Sequence, residues 1–325
     1  ITGLEYVPYL TNETIFELQR RPGHLLVVGG GPIGLEMAQA FRNLGSAVTV
    51  LEMFSILPKD DPDLVDVVRQ RLQGQGVDIR EGVKVVRLEK SGDDVTVFVE
   101  KDGKEESIVG SHLLIATGRQ ANVQGLGLEE AGIEHTAAGI HVDARLRTTN
   151  KKVFAIGDVT GGLQFTHNAG YQAGIVIRNA LFRLPAKSDT RALPWVTYAD
   201  PELAQVGLTE AEAKTQGLDH KVLTWPFKEN DRAIAEAQTD GLIKAIVTPK
   251  GHILGAGIVG PHAGELIQTW VLAMANKLKI GTVAGMIAPY PTLGEVSKRA
   301  AGSFYTPSLF SKRTRMIVRF LSRFG

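Results

Sequence analysis

The sequence predicts an α/β protein in which a parallel-sheet domain is followed by a separate α+β domain. A glycine-rich turn lies between an apolar, strand-like run at Leu25–Val28 and a stretch with apolar residues at helical spacing. From Leu193 onward the pattern changes to alternating strands followed by helices. A length of 325 residues suits two or three domains, and 36 glycines suit a chain rich in turns.

The glycine-rich turn has the GxGxxG spacing, with Gly29, Gly31 and Gly34. The first glycine permits a tight turn, the second lets the backbone approach a pyrophosphate, and the third lets the helix pack closely on the strand. The helix that begins at Pro32 offers N–H groups and the positive end of its dipole to the phosphates. The turn therefore predicts a Rossmann-like dinucleotide site. The alternative is a glycine-rich turn that binds nothing.

Glu52 ends the next predicted strand, Val48–Glu52, 21 residues after Gly31. An acid at this distance is expected to accept hydrogen bonds from the ribose hydroxyls of NAD and to repel the 2′-phosphate of NADP. Residues 53–55 supply no cation for that phosphate. We therefore expect NADH to be preferred over NADPH, unless an arginine from elsewhere in the fold reaches the phosphate.

Further elements complete a dinucleotide-binding domain over residues 21–118, behind a leading segment, residues 1–20. Apolar spacing predicts a helix from Pro62 to Gln75, and Gly76 fits the position just past its end. Strands are predicted at Val77–Arg80, Val83–Leu88 and His112–Ala116, with a hairpin around Asp102-Gly103. A short helix is expected within the leading segment, from Thr11 to Arg20.

The next segment, residues 119–190, contains a predicted strand at Val153–Asp158 and a predicted helix at Thr166–Leu184. Asp158 stands at the carboxyl end of that strand beside glycines, which is where α/β sheets bind ligands. The alternative is an aspartate that caps the following turn.

Residues 191–302 are predicted to form the α+β domain, and residues 303–325 a basic tail with amphipathic helical spacing. The elements of the domain are expected at Leu193–Tyr198, Thr209–Gln216, Lys221–Phe227, Gly241–Thr248, Ile253–Val259, Ala263–Lys277 and Ile280–Ile287. Two interpretations of the tail remain open. It is a helix packed on the protein with one solvated face, or it makes weak contact with a membrane surface.

Composition excludes several classes of function. A net charge of +1 produces no strong field for nucleic acid, and the absence of cysteine excludes disulfides and thiol chemistry within these 325 residues. The eight histidines show no paired metal-binding spacing, so no metal site is predicted. No apolar run has the length of a bilayer span and no secretory signal opens the sequence, which predicts a cytoplasmic protein.

Several motifs then occur together in one order. The glycine-rich turn is followed by Ala116–Arg119, by Ala155–Asp158, and by the run Thr197–Glu210 with the sequence TYADPELAQVGLTE. In this order the chain resembles the pyridine nucleotide–disulfide oxidoreductase family over nearly its whole length, and most of all the dihydrolipoamide dehydrogenase and mercuric reductase-like members. The resemblance implies a Rossmann-like NAD-binding domain, part of an FAD-binding domain and an α+β dimerisation domain. It further implies that the chain is the C-terminal two-thirds of such an enzyme.

The resemblance also implies site residues. Glu36 would lie near the nicotinamide amide, Glu52 at the adenosine ribose, Val85 near the adenine, and Gly118 in the cofactor cleft. Asp158 would accept a hydrogen bond from the FAD ribityl chain. The remaining cofactor-binding residues would be Gly29, Gly30, Gly31, Pro32, Ile33, Gly34 and Leu35 for NAD, and Gln164, Phe165, Thr166 and His167 for the flavin. The FAD site would be only partly encoded in this chain.

The chain departs from the family pattern at the segment that carries the catalytic His-Glu pair. Glu295 is present, but Tyr290 stands where the histidine is expected. An ordinary tyrosine has a pKa near 10 and is a poor base at neutral pH. The departure therefore argues against dihydrolipoamide oxidation and favours another electron acceptor. The alternative is that Tyr290 only packs at a subunit interface.

Three functions follow as hypotheses. The first is part of a homodimeric flavoprotein that passes hydride from NADH to FAD and electrons on to a disulfide or small-molecule acceptor. The second is a non-catalytic module that binds a dinucleotide and dimerises. The third is a relative of the NADH oxidases or transhydrogenases without a redox disulfide.

Overall fold

A computed structural model describes residues 1–324, which form two compact units. The first unit joins residues 1–117 to the part of the chain from Pro194 onward, and the second comprises residues 118–193. No helix among residues 1–324 is both long and apolar enough to cross a membrane.

The first part of the larger unit is built on a four-stranded parallel sheet with strand order β3-β2-β1-β7 and a three-stranded antiparallel sheet, β4-β5-β6. Its elements are β1 (His24–Val28), α1 (Pro32–Asn43), β2 (Ala47–Glu52), α2 (Pro62–Gly74), β3 (Asp78–Glu81), β4 (Lys84–Ser91), β5 (Asp94–Lys101), β6 (Lys104–Gly110) and β7 (His112–Ile115).

Strand β1 explains why this sheet is central to the unit. Leu25 and Val27 pack into one hydrophobic cluster, and Leu26 and Val28 pack into another on the opposite face. A parallel strand covered on both faces carries a continuous apolar run, as β1 does. The predicted strands and helices of residues 24–116 are therefore confirmed within a few residues, including the hairpin, whose turn residues Asp102 and Gly103 both have positive φ.

The smaller unit holds two short strands and one long helix: β8 (His135–Thr136), β9 (Gly139–Ile140) and α3 (Thr166–Ala180). The prediction of a strand at Val153–Asp158 is wrong. Within the described residues this run forms one isolated bridge, between Arg147 and Phe154, and then a 3-10 turn from Gly157 to Thr160. A strand needs a pairing neighbour along its length, and here only the adjacent residues 146–148 pair with the run.

The second part of the larger unit is a five-stranded antiparallel sheet with order β10-β11-β14-β13-β12, surrounded by helices. Its elements are β10 (Pro194–Thr197), β11 (Glu202–Gly207), α4 (Glu210–Thr215), β12 (Lys221–Pro226), α5 (Asp231–Ala235), β13 (Leu242–Val247), β14 (Ile253–Gly260), α6 (Ala263–Leu266), α7 (Gln268–Ala275), α8 (Ile280–Gly285), α9 (Glu295–Ser303), α10 (Thr306–Leu309) and α11 (Lys312–Leu321).

Most predicted elements of this part are confirmed, with two differences. Strand β11 and helices α5 and α9 were not predicted from the sequence. The helix expected over Ala263–Lys277 is interrupted at Ile267. In the leading segment, the helix expected over Thr11–Arg20 is only a four-residue 3-10 turn. The backbone becomes extended at Leu18, whose ψ is 123°, so the helical turn cannot continue to Arg20.

A buried ionic cluster joins α2 to the antiparallel sheet. Lys244 of β13 is 5% exposed, and its Nζ lies 3.0 Å from Asp61 Oδ1, 2.6 Å from Asp63 Oδ2 and 2.8 Å from Glu210 Oε2. Burial alone would lower the pKa of Lys244, but hydrogen bonds to the three carboxylates outweigh it and raise that pKa. The cluster therefore holds a fully charged lysine and places the helix after β2 against the second sheet.

Asp60 lies beside this cluster and is also buried. The Trp195 indole Nε1–H donates to Asp60 Oδ1 over 2.8 Å. Burial raises the pKa of Asp60 from 3.8 to about 6, with the Trp195 hydrogen bond and Lys59 acting in the opposite direction. The charged form is therefore disfavoured in the folded chain.

This burial predicts a pH-dependent stability. Between about pH 4 and pH 6 the folded state binds more protons at Asp60 than the unfolded state does, so the free energy of unfolding should fall as pH rises through this window. Asp60→Asn keeps an acceptor for Trp195 and removes the charge. We expect the variant to be more stable than the original chain at neutral pH by about 2–3 kcal/mol and equally stable at acid pH, by denaturant unfolding.

The exposed Asp94→Asn substitution is the matched control and should leave the pH dependence unchanged. Parallel pH curves for the original chain and Asp60→Asn would contradict the assignment.

Candidate functional site

Two glycines of the turn after β1 are required by the backbone itself. Gly29 has a φ of +114°, and a Cβ there would collide with the carbonyl oxygen of Ala116 at the end of β7. A Cβ on Gly34 would collide with the carbonyl oxygen of Gly29. These two positions let α1 start directly against the strand, as the GxGxxG spacing predicts.

Gly31 differs from both, because a Cβ there would meet no heavy atom of the described part of the chain within 4 Å. Its φ of −75° is accessible to any residue, so neither packing nor conformation within the chain requires glycine. Gly31 is the N-cap residue of α1. No side chain of residues 1–324 accepts the N–H groups of the first turn, which include those of Ile33 and Gly34. An open approach beside uncapped helix N–H groups fits a phosphate group.

Glu52 ends β2 and reaches back to this turn. Its Oε2 accepts the Gly30 N–H over 2.7 Å, and its Oε1 accepts the Phe54 N–H over 2.9 Å. A carboxylate has about four lone-pair positions, so two backbone bonds leave room for ribose hydroxyls. The carboxylate is thus held in a defined orientation at the edge of the glycine-rich turn.

The neighbouring strand adds a second acid. Glu81 of β3 lies opposite Glu52 in the sheet register. Burial raises the pKa of Glu81, but hydrogen bonds from the Arg69 guanidinium and the Ile56 N–H outweigh it, so the pKa lies below its ordinary value. Glu81 therefore stays ionised, and Arg69 is committed to it by a 2.9 Å hydrogen bond.

Helix α1 is attached to the loop after β10 through two side chains one turn apart. Glu36 Oε1 accepts the Tyr198 N–H over 2.8 Å. Gln39 Oε1 accepts the Asp200 N–H over 2.7 Å, and Gln39 Nε2 donates to the Asp200 carbonyl over 2.8 Å. Burial raises the pKa of Glu36 while the Tyr198 hydrogen bond lowers it, with a net rise. The sequence indicates Glu36 as a site residue, but it gives no sign of the Tyr198 N–H that orients the carboxylate.

The other residues proposed for NAD lie in different environments. Pro32 is exposed and Ile33 is half-buried at the start of α1. The Leu35 side chain is fully buried in the core, and its N–H donates to the Gly31 carbonyl. Val85, in β4, is half-buried and packs against the second hydrophobic cluster. Of the residues proposed for NAD, the glycines, Pro32 and Ile33 thus form the open turn, and Glu52 is hydrogen-bonded to it.

The residues proposed for the flavin lie in the smaller unit. Arg119 Nη1 is 3.5 Å from Asp158 Oδ2, and Arg119 Nη2 donates to the Gln164 carbonyl over 2.7 Å. Helix α3 begins directly after Phe165, its N-cap residue, and lacks a side-chain cap within the described residues. The rings of Phe165 and His167 are stacked, with their centroids 5.2 Å apart.

Two further features of the smaller unit concern backbone shape and burial. Gly118 has a φ of +144° and open space around it, and Thr166 is exposed in the first turn of α3. Asn168 is buried, and its Oδ1 has no hydrogen-bond partner within the described residues. A charged pair next to an uncapped helix N-terminus and an unpaired buried oxygen are a suitable set of donors and acceptors for a polar cofactor.

In the second part of the larger unit, the Tyr290 hydroxyl donates to Asp231 Oδ2 over 2.7 Å. The tyrosine is 70% exposed. The hydrogen bond to Asp231, together with the charge of that carboxylate, raises the Tyr290 pKa, so the phenol is protonated at neutral pH and acts as a donor. Glu295 begins α9 and is half-buried. Asp231 lies 59 residues from Tyr290, and no sequence pattern indicated the pair.

Comparisons with known proteins give the family. The family model of the pyridine nucleotide-disulphide oxidoreductases matches residues 2–173, and the model of their dimerisation domain matches residues 193–301. Mercuric reductase of Bacillus cereus is 38% identical over 307 residues, which are 94% of this chain and 49% of that protein. Dihydrolipoyl dehydrogenase of Geobacillus stearothermophilus is 38% identical over 283 residues, 86% of this chain and 60% of that protein.

Among solved structures, the Cu(II) complex of the HOCl-induced flavoprotein disulfide reductase RclA of Escherichia coli superimposes with a TM-score of 0.86 and 34% identity, covering 93% of this chain and 69% of that one. The chain spans about half the length of the first mercuric reductases that it matches. The glycine-rich turn, the acid that ends β2 and the matches over both parts of the chain agree. The chain therefore belongs to the pyridine nucleotide-disulphide oxidoreductase family.

Proposed function

We propose that the chain forms the nucleotide-binding and dimerising part of an NAD(P)H-dependent FAD oxidoreductase of the disulfide reductase type. The observation that carries the proposal is the open approach at Gly31 beside Glu52, since no contact within residues 1–324 requires glycine at that position. The matches to the family and its dimerisation domain support a homodimer. A cytoplasmic location stays a prediction.

NADH is the proposed nucleotide in preference to NADPH. Two carboxylates, Glu52 and Glu81, lie side by side at the ends of β2 and β3, where the 2′-phosphate of NADPH would approach. Arg69 is already engaged by the Glu81 carboxylate, and the Lys101 ammonium donates to the Glu81 carbonyl. A third phosphate would therefore meet negative charge without a free guanidinium to balance it.

Each end of the nucleotide would be held by a different part of the site. The first-turn N–H groups of α1 would bind the pyrophosphate, and Glu52 would bind the adenosine ribose. Glu36, oriented by the Tyr198 N–H, would accept a hydrogen bond from the carboxamide of the nicotinamide. When both cofactors are bound, the nicotinamide supplies a hydride and the flavin accepts it. Asp158, Arg119 and the start of α3 would position the flavin side chain.

The electron acceptor is proposed to differ from dihydrolipoamide. Tyr290, bound to Asp231 and protonated at neutral pH, can orient or protonate an acceptor but cannot take a proton from a thiol. Glu295 would act with it as a carboxylate near the acceptor. A disulfide or a small molecule is the class of acceptor we propose. The absence of cysteine from these 325 residues also favours a second candidate, a module that binds the nucleotide and dimerises without chemistry of its own.

Glu52→Gln tests the nucleotide assignment. The amide keeps an oxygen acceptor for the turn and removes the negative charge. We expect the original chain to bind NADH more tightly than NADPH. In the variant, the dissociation constant of NADPH divided by that of NADH should fall by about tenfold or more, because a repulsion of ~1–4 kcal/mol between the carboxylate and the 2′-phosphate is lost. Titration calorimetry with both nucleotides measures the ratio.

The control is Glu100→Gln, an exposed acid on β5, which should leave the ratio unchanged. Tighter binding of NADPH by the original chain would refute the preference, and an unaltered ratio in Glu52→Gln would remove the ribose role of that residue.

A further inference from the structure

Charge is distributed unevenly along the chain. Residues 296–325 contain seven Lys and Arg and no Asp or Glu, whereas residues 1–295 contain 29 Lys and Arg against 35 Asp and Glu. The net charge of the whole sequence is near zero, but residues 296–325 are cationic and residues 1–295 are anionic. Such a segment attracts an anionic surface when it is presented in an ordered form.

Helix α11 presents these charges in an ordered form. Ser311 caps it, with its hydroxyl accepting the Thr314 N–H over 3.1 Å, and the Thr314 hydroxyl donates to the Ser308 carbonyl over 2.7 Å. The helix runs over Lys312–Leu321 and contains no buried residue. Its start is therefore defined by local hydrogen bonds, and packing against the rest of the chain does not define its faces.

From Ile317 onward, one face of α11 and the turn after it is apolar, and Arg313 lies one turn before Ile317 on the same face. Ile317, Leu321 and Phe324 follow one another at the spacing that aligns side chains along a helix, with Phe320 and Val318 on either side. All five are between 48% and 76% exposed. The rings of Phe320 and Phe324 contact each other edge to face at 5.2 Å. This face has no covering element within residues 1–324.

The opposite face is cationic. Arg315, Arg319 and Arg323 recur at intervals of four residues, with Lys312 one turn before Arg315. The ion pairs of the described residues involve cations that precede α11. Long basic side chains beside an apolar face can extend to phosphate groups while the apolar groups lie deeper.

We propose that α11 is an interfacial helix that docks the protein on a membrane rich in anionic phospholipid. Its apolar face enters the boundary between headgroups and acyl chains, and its arginines bind the lipid phosphates. Charge favours lipid over a second copy of the chain, because a two-fold contact through this helix would bring two sets of arginines together. The proposal does not depend on which electron acceptor the enzyme uses.

Sedimentation of the 325-residue chain with vesicles tests this proposal. We expect binding to vesicles of phosphatidylcholine mixed with phosphatidylglycerol, weaker binding to phosphatidylcholine alone, and loss of the difference at high salt. Phe320→Ser combined with Leu321→Ser should weaken binding to the anionic vesicles by about tenfold or more. Arg315→Gln combined with Arg319→Gln and Arg323→Gln should do the same.

Matched controls lie elsewhere on the surface. Phe16→Ser removes an exposed ring that is 74% accessible, and Lys84→Gln with Lys90→Gln and Lys104→Gln removes three exposed cations of the β4-β5-β6 sheet. Neither control should change vesicle binding. All variants should keep the NADH affinity of the original chain, which shows that they are folded.

Two results would overturn the proposal. One is equal binding of the original chain and both tail variants to the anionic vesicles. The other is an original chain that does not bind vesicles but whose tail variants sediment as a smaller oligomer, which would assign α11 to a contact between copies.

Discussion

Replacing Gly31 by Asp is expected to abolish tight NADH binding while leaving the fold intact. A Cβ at this position meets no heavy atom of residues 1–324 within 4 Å, and the φ of −75° suits any residue. Aspartate is a favoured N-cap, so the stability of α1 should rise by a few tenths of a kcal/mol. The same carboxylate would occupy the first-turn N–H groups and repel the pyrophosphate. We expect affinity to fall by about a hundredfold or more, since a like-charge contact costs several kcal/mol.

Calorimetric titration with NADH and denaturant unfolding measure the two effects separately. Gly31→Ser introduces a capping side chain without charge and should weaken NADH binding less than Gly31→Asp does. Gly74→Asp places the same charge at an open glycine at the end of α2 and should leave NADH affinity unchanged. If Gly31→Asp bound NADH as tightly as the original chain, the turn would not be the pyrophosphate site.

Replacing Lys244 by Met is expected to produce the largest loss of stability. The substitution removes the only ion-pair partner that Asp61 has within residues 1–324 and leaves that carboxylate, which is 2% exposed, buried. Breaking a buried ion pair from one side costs about 3–5 kcal/mol. Denaturant unfolding of the original chain and the variant measures the difference in the free energy of unfolding.

The chain offers a matched control in the same network. Lys214 also pairs with Glu210, but it is 64% exposed, so Lys214→Met should cost only about 0–1 kcal/mol. Adding Asp61→Asn to Lys244→Met should restore part of the lost stability, because the buried charge is then removed as well. A loss from Lys244→Met no greater than that from Lys214→Met would show that the cluster contributes nothing beyond an exposed pair.

Local pattern was sufficient where neighbouring residues decide the structure. The run Leu25–Val28 and the spacing of Gly29, Gly31 and Gly34 predicted β1 and the start of α1, and the structure confirms both. The hairpin at Asp102-Gly103 was predictable because the turn needs two residues with positive φ. The family was also recognisable from the order of short motifs, and the family matches confirm it.

Pairing between distant segments was not predictable from pattern. The apolar run Val153–Ile156 has the composition of a strand, but its pairing within the described residues is a single bridge. Strand β11 was missed although its residues lie in one of the recognised motifs, because only its neighbours β10 and β14 define it as a strand. Composition is a property of the segment, whereas a ladder of hydrogen bonds is a property of two segments.

The sequence by itself determined the family, the order of the parts and the glycine-rich turn that we assign to the dinucleotide, because each depends on residues close together in the chain. Tertiary structure alone decided which groups surround those residues. It brought the Tyr198 N–H to Glu36, Asp231 to Tyr290, and Lys244 to the acids of α2. Such contacts join residues far apart in sequence, and spacing along the chain carries no signal of them.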